Sequence, residues 1–249
     1  MKYFAVLAII LLAGTGLKPA QAVPISIDAN IGLQSFVSLT DAHMRALLGD
    51  LQQVAVTPAT RSGKWTAIES PLRAATTGDV AATIFYAAAN GQYWIVGDGL
   101  QPRRINDRPY FSQVFAGKTV VGDIVTSRSN ARPVAIIAVP VRGADGKVEG
   151  LLGAGVDLTK LSALLTEEMG ITSGVLFWAT DAHGITALHS AKENVSNDAL
   201  KVPDIANVLR HMIETPSGTE TYSFKGKPRT VLYRHSTLTG WTYGFGIIH

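Results

Sequence analysis

Ile84-Phe85-Tyr86-Ala87, followed by the turn Asn90-Gly91, returns about 90 residues later as Leu176-Phe177-Trp178-Ala179 ahead of a second turn at residues 181–184. A short apolar run that ends in Asn-Gly or a similar turn is a strand entering a hairpin. Two such runs imply two copies of one supersecondary unit. Each copy continues through an irregular, partly helical stretch to three further strands. In the first copy these are expected at 119–126, 133–141 and 148–156, with Asp145-Gly146 turning the last hairpin. In the second they are expected at 218–224, 229–235 and 241–248, with Lys225-Gly226-Lys227 and Leu238-Thr239-Gly240 as turns.

Ahead of the repeat the period changes from two to between three and four. Leu33, Phe36, Val37, Met44, Leu47, Leu48, Leu51, Val54 and Ala55 share one face of a long helix within residues 23–60, ended at Thr57-Pro58. A shorter helix is expected from Lys64 to Ala75. A helix lying on a membrane surface carries Lys and Arg along its polar face, and only Arg45 is present, so the stripe serves core packing or a homodimer contact. Earlier still, Lys2, the apolar run Phe4 to Leu12 and Ala20-Gln21-Ala22 have the three regions of a secretory signal peptide spanning residues 1–22. Gly14, Gly16, Lys18 and Pro19 break the run too early for a membrane-spanning helix, which needs about 20 apolar residues.

The chain carries 22 Lys and Arg against 19 Asp and Glu, a net charge of +3. Loss of the leader removes Lys2 and Lys18 and no acid, leaving +1, so neither a nucleic acid nor an anionic membrane is indicated as a partner. There is no cysteine, which excludes a disulfide and a lipid-modified N-terminal thiol.

Chemistry concentrates in the first copy. Asp107-Arg108-Pro109-Tyr110-Phe111 places a guanidinium beside two aromatics, close to Arg103 and Arg104 and followed by Ser127-Arg128-Ser129 and by Gly153-Ala154-Gly155-Val156-Asp157-Leu158. Pro109 pushes Arg108 toward extended backbone and holds its side chain apart from Tyr110, a geometry suited to gripping a carboxylate. Asp107 points to the opposite side of an extended segment, so a ligand anion is the partner expected for Arg108. A solvated loop pinned by its aromatics is the plainer reading. Ser127 and Ser129 can donate to the same ligand, and Trp94 adds an aromatic wall. Asp157 either faces the ligand or caps the next helix as its N-cap acceptor, and Asp123 either lines the pocket or sits at a strand edge.

In order and spacing these segments resemble the double Cache (dCache) extracellular sensor domains, whose membrane-distal module carries an R-P-Y-F-like segment, an S-R-[ST] segment and a G-V-D-L-like strand end. The resemblance runs over nearly the whole chain after the leader. It implies an α+β fold in which a long N-terminal helix packs on two PAS-like modules, residues 61–160 and 161–249, each with an antiparallel sheet of about five strands. Amino-acid-binding members show Arg, any residue, Trp, Tyr, then a later Tyr and an Asp on the module's last strand. Arg108, Tyr110, Phe111 and Asp157 match in kind. The intermediate Tyr does not, because Val125 to Asn130 stand there. The resemblance therefore implies a small carboxylate or an amino-acid-like ligand in the first module. The second module lacks the Arg-aromatic segment, and its insert reads as an amphipathic helix after Pro203-Asp204, so it is expected to pack without a strong ligand site, with Trp241 in its core.

Enzyme motifs are missing: no thiol, no His-Glu-x-x-His, no Gly-x-Ser-x-Gly, no phosphate-binding glycine loop. His183 and His189 share a sheet face without a third ligand, which argues against a metal. The sequence thus predicts a secreted or periplasmic sensor module with no catalysis, no cofactor and no output domain of its own, reporting to a membrane receptor, a histidine kinase or a transporter. A secreted hydrolase with an unrecognised site and a structural partner-binding module are the alternatives. N-terminal sequencing of the exported protein is expected to begin near Val23, and an intact Met1 would count against cleavage.

Overall fold

The computed structural model describes residues 28–249 except Thr77 and Asp79. The leader assigned to residues 1–22 lies outside the described residues. Helix α1 (Ala29–Ala55) starts where the Asp28 carboxylate accepts the Asn30 N–H at 2.8 Å, an N-cap that satisfies one orphan donor of the first turn. It ends before Thr57, which caps the short helix α2 (Pro58–Arg61), so the helix expected over 23–60 is two elements. Helix α3 (Trp65–Ala75) follows.

Strands β1 (Ala82–Ala88), β2 (Tyr93–Ile95), β3 (Gly99–Leu100), β4 (Val120–Thr126), β5 (Pro133–Arg142) and β6 (Val148–Asp157) make one antiparallel sheet in the order β3-β2-β1-β6-β5-β4. Between β3 and β4 lies helix α4 (Pro109–Phe115). After helix α5 (Leu158–Glu168), strands β7 (Val175–Thr180), β8 (Thr186–His189), β9 (Ser217–Phe224), β10 (Lys227–His235) and β11 (Thr242–Ile248) make a second sheet in the order β8-β7-β11-β10-β9. Helix α6 (Pro203–Glu214) lies between β8 and β9. The two sheets are separate and share one strand order, which is the repeat in spatial form. The copies are offset by a residue from the pattern in the sequence: Phe85 faces outward beneath α4, whereas Phe177 faces inward.

The inner faces of both sheets and α1 form one core. Phe36 of α1 lies 4.7 Å from Phe177 and 5.0 Å from Tyr243, ring centre to ring centre, and both partners belong to the second sheet. Asp41 of α1 accepts from Ser236 Oγ at 2.9 and 3.1 Å, and burial raises its carboxyl pKa against the lowering effect of that hydrogen bond. The apolar stripe of α1 is therefore spent on the chain's own core. The outer faces are covered separately, by α4 on the first sheet and α6 on the second.

The sheets meet at a bulge in β4. Gly122 there has φ of 101°, and a Cβ at this position would stand 2.8 Å from the Thr239 carbonyl oxygen, so glycine is required twice over. The fully buried Trp241 donates its indole N–H to the Gly122 carbonyl at 2.9 Å, as a core residue rather than a stacking platform.

Gly32 gives the clearest test of how tightly α1 is seated. Alanine favours a helix interior over glycine by about 1 kcal/mol, but a Cβ at Gly32 would fall within the buried ring of Phe245. Overpacking of a filled core costs about 1–3 kcal/mol, so Gly32→Ala is expected to destabilise the protein in urea unfolding despite the gain in helix propensity.

Candidate functional site

The six-stranded sheet carries a pocket on its outer face, beside the start of α4. Strand alternation sends Phe85, Tyr93, Ile95, Val134 and Ile136 to this face as floor and walls, and Gly155 leaves a gap among them. The space, open solvent at its mouth included, is about 400 Å³, a size for a small molecule. Its rim is Arg108, Tyr110, Ser127, Arg128 and Ser129.

Arg108 has the extended backbone that Pro109 imposes, φ −78° and ψ 138°, and occupies the N-cap of α4 with Pro109 at the first helical position. The segment expected to be irregular is thus a helix from Pro109 onward, and Tyr110 and Phe111 are buried on it. Arg108 Nη2 donates to the Thr126 carbonyl at 2.8 Å. In the opposite direction Arg128 donates to Asp107 Oδ2 at 2.5 Å and to the Arg104 carbonyl. Two arginines from facing loops therefore cross above the pocket, each anchored on the other's segment. The hydrogen bond from Arg128 holds the Asp107 carboxyl below its usual range. Burial raises Tyr110 and Tyr93, opposed in both by the Arg108 and Arg128 charges. Ser127 and Ser129 hydroxyls lie 3.1 Å apart on the rim.

The structure brings together Arg108, Tyr110, Ser127 and Ser129 and leaves three candidates elsewhere. Arg108 is half-buried, and a backbone carbonyl takes one of its donors, where a ligand anion alone was expected to partner it. Trp94 alternates to the inner face of β2 and stacks between Tyr86 and Trp65, with centroids 5.8 and 6.4 Å away. Asp157 shares the face of Gly155 but is committed: Oδ1 accepts from the Lys160 N–H at 3.1 Å, capping α5, and Oδ2 pairs with Arg132 at 2.9 Å. Asp123 follows the β4 bulge, accepts from Gln113 at 3.2 Å and lines a cleft between the sheets together with Asp181. Besides the apolar floor, three residues that shape the pocket were not among the candidates. Tyr93 neighbours Trp94 with the opposite parity, Arg128 stands inside the Ser127-Arg128-Ser129 segment, and Gly155 is the one residue whose missing side chain opens the space.

The second sheet, expected to pack without a strong site, also holds a cavity, between its outer face and α6. Among the described residues no group of three His, Cys, Asp or Glu is placed to hold a metal ion.

A long helix seated on two like sheets, with a small cation-rimmed pocket on the first, defines a sensor-type ligand-binding domain. The chain belongs to the Cache domain family in its double form, whose sequence profile matches residues 31–247. No curated protein matches it. Among solved structures it is similar to the ligand-binding domain of the Pseudomonas aeruginosa amino acid chemoreceptor PctB in complex with L-Arg (17% identity, TM-score 0.63, covering 88% of this chain and 91% of that one). The ligand-binding domain of the Pseudomonas fluorescens chemoreceptor CtaA in complex with L-isoleucine is similar at 16% identity and TM-score 0.67, covering 88% and 92%. The extracellular domain of a putative histidine kinase, rpHK1S-Z16, superposes at TM-score 0.71 with 16% identity, covering 89% and 92%.

Asp123 yields a test with a defined sign. Burial raises its pKa, against Gln113 and with Asp181 adding to the rise. A raised carboxyl favours the folded state below the unfolded pKa and loses that contribution as pH rises through the folded value. Asp123→Asn keeps an acceptor for Gln113 and removes the charge, so it is expected to raise stability at neutral pH, with the gain disappearing below about pH 4 in denaturation measured across pH.

Proposed function

We propose that the chain senses a small extracytoplasmic solute, a carboxylate or an amino-acid-like molecule, in the outer pocket of its first module, residues 61–160, and reports occupancy to a membrane receptor, histidine kinase or transporter. The observation that carries this reading is the charge of the pocket. Two guanidinium groups and two serine hydroxyls rim it, and the carboxylates near it are already paired, Asp107 with Arg128 and Asp157 with Arg132 and the Lys160 N–H. Such a rim attracts an anion. The similar chemoreceptor domains holding L-Arg and L-isoleucine support an amino acid as the class. Against it stands the commitment of Asp157 to Lys160 and Arg132, which leaves an ammonium with Tyr93 and Tyr110 in place of a carboxylate. A carboxylic acid without the amine fits this rim as well. The secreted or periplasmic placement is part of the same reading; among the described residues no helix is long and apolar enough to cross a membrane.

Isothermal titration against a panel of amino acids, short organic acids and amines tests the proposal. Arg108→Ala is expected to weaken binding by about 1.5–3 kcal/mol, roughly ten- to hundredfold, and Arg108→Lys to restore only part of it, because an ammonium lacks the two-pronged grip. Gly155→Val is the complementary variant. A Cβ there meets only Val134, at 3.5 Å, an ordinary contact, so the fold tolerates it while the side chain fills the pocket. Binding that survives all three variants would move the site elsewhere, and a chain that binds nothing in the panel would favour the structural-module alternative.

A further inference from the structure

The second cavity occupies the same position in its module as the first does in its own: the outer face of the sheet, beside the helix that precedes the module's last three strands. Its walls are of two kinds. Ile205, Val208, Leu209 and Met212 of α6 make an apolar side, and β7 and β10 supply Trp178, Thr180 and Arg229 opposite. The enclosed space, open solvent at its mouth included, is about 660 Å³, larger than the first pocket.

Among the described residues three buried side-chain polar atoms have no hydrogen-bond partner: Trp178 Nε1, Thr180 Oγ1 and Arg229 Nε. All three line this cavity. Buried polar groups are almost always paired, so three orphans at one place mark a missing occupant rather than scattered packing defects. The Tyr222 phenol oxygen stands close enough to the Trp178 and Arg229 donors that hydrogen bonding to both opposes the rise that burial gives its pKa, but for Trp178 Nε1 and Arg229 Nε the approach falls outside good hydrogen-bond geometry and leaves room for a better acceptor. Two of the three, the indole and the guanidinium, can only donate. No Asp or Glu lies within salt-bridge distance of Arg229 among the described residues, and its guanidinium rests on the Phe224 ring at 4.5 Å.

His189 supplies no counter-charge. Its Nδ1 accepts from the Ala191 N–H at 2.8 Å, which leaves the ring proton of the neutral imidazole on Nε2. Burial, and after it the Arg229 charge, pushes the ring down to about 4, so it is neutral at physiological pH.

We propose that this cavity is a second ligand site, taking a small organic acid whose carboxylate meets Arg229 and the Trp178 N–H and whose apolar body lies along α6, with the Thr180 hydroxyl free for a further oxygen. It differs from the first pocket in its larger volume and in presenting one guanidinium against a helix wall, where the first presents two guanidinium groups and two serine hydroxyls at its rim. Two modules of one chain would thus read two classes of acid.

The test uses the full-length protein labelled with ¹⁵N, titrated with phenylacetate and hexanoate while the indole N–H signals are followed. Trp178→Phe assigns the reporting signal. A saturable shift of the Trp178 indole is expected, weakened at least about tenfold in Arg229→Met and unchanged in Arg108→Ala, since a lost charge-assisted hydrogen bond has an effect of that size. Should Arg229→Met fail to fold, Arg229→Lys reads the same contact, with a smaller weakening expected. The proposal is overturned by the absence of a saturable shift with both acids up to about 10 mM, a concentration that would still detect very weak binding. It is equally overturned by indifference to both Arg229 variants, by equal binding of phenylacetamide, which lacks the charge, or by loss of the shift in Arg108→Ala. That last outcome would place the acid in the first pocket. Because the two sites are read by different arginines, failure here leaves the first-module reading intact, and failure there leaves this one.

Discussion

Everything in this molecule depends on one helix having to cover two sheets. At about 1.5 Å per residue the 27 residues of α1 span roughly 40 Å, long enough to run across both inner faces. Each sheet alone would expose an apolar face, and the helix alone would expose its stripe. Together they make a single core in which Phe36 contacts Phe177 and Tyr243 of the second sheet, while other residues of the helix contact β5 and β6 of the first. Because the inner faces are filled in this way, the outer faces are left free to hold a small molecule. Both cavities lie there, each under the helix inserted in its own module.

The two cavities use this shared position differently. Over the first, Arg108 and Arg128 cross and are held by the opposing segments, so the rim is built around charge that is partly satisfied and ready to accept more. In the second, a lone Arg229 lies on an aromatic ring beside an apolar helix. A guanidinium that is hydrogen-bonded on one edge remains a good anion ligand on the other, and one resting on a ring, with its Nε unpartnered, keeps donors for the occupant. The selectivity of each site then follows from its polar groups and its size: two guanidinium groups and two hydroxyls above a smaller apolar floor in one, a single guanidinium beside an apolar helix in a larger space in the other.

Most of the fold was legible because it is written in local periods. The stripe of α1, the turn at Asn90-Gly91 and the continuous apolar runs of β5 and β6 each need only a short window of sequence. Site residues were legible only as far as such windows reach. Arg108 and Tyr110 were found because Pro109 fixes them locally, and Ser127 and Ser129 because they flank one tight loop. Trp94 was misplaced by a single step of parity, since β2 is too short for its own alternation to declare which face is inner. Asp157 could be either a cap or a ligand from sequence, and it was Arg132, 25 residues away, that took its second oxygen. The second cavity was invisible for the same reason: Trp178, Tyr222 and Arg229 sit on three strands, and nothing in any one of them announces the other two.

The seating of α1 has a consequence in time as well as in space. This helix is the first described element to be synthesised, yet Gly32, Phe36 and Asp41 are covered by Phe245, Tyr243 and Ser236, in or just before the last strand of the second sheet. Until those residues exist, half of an apolar helix has nothing to fold against, and no local contact can substitute for a partner some 200 residues away. Such long sequence separation slows folding and prolongs the exposure of sticky surface. The shared core therefore closes only once β11 is in place, and the apolar stripe of α1 waits on it.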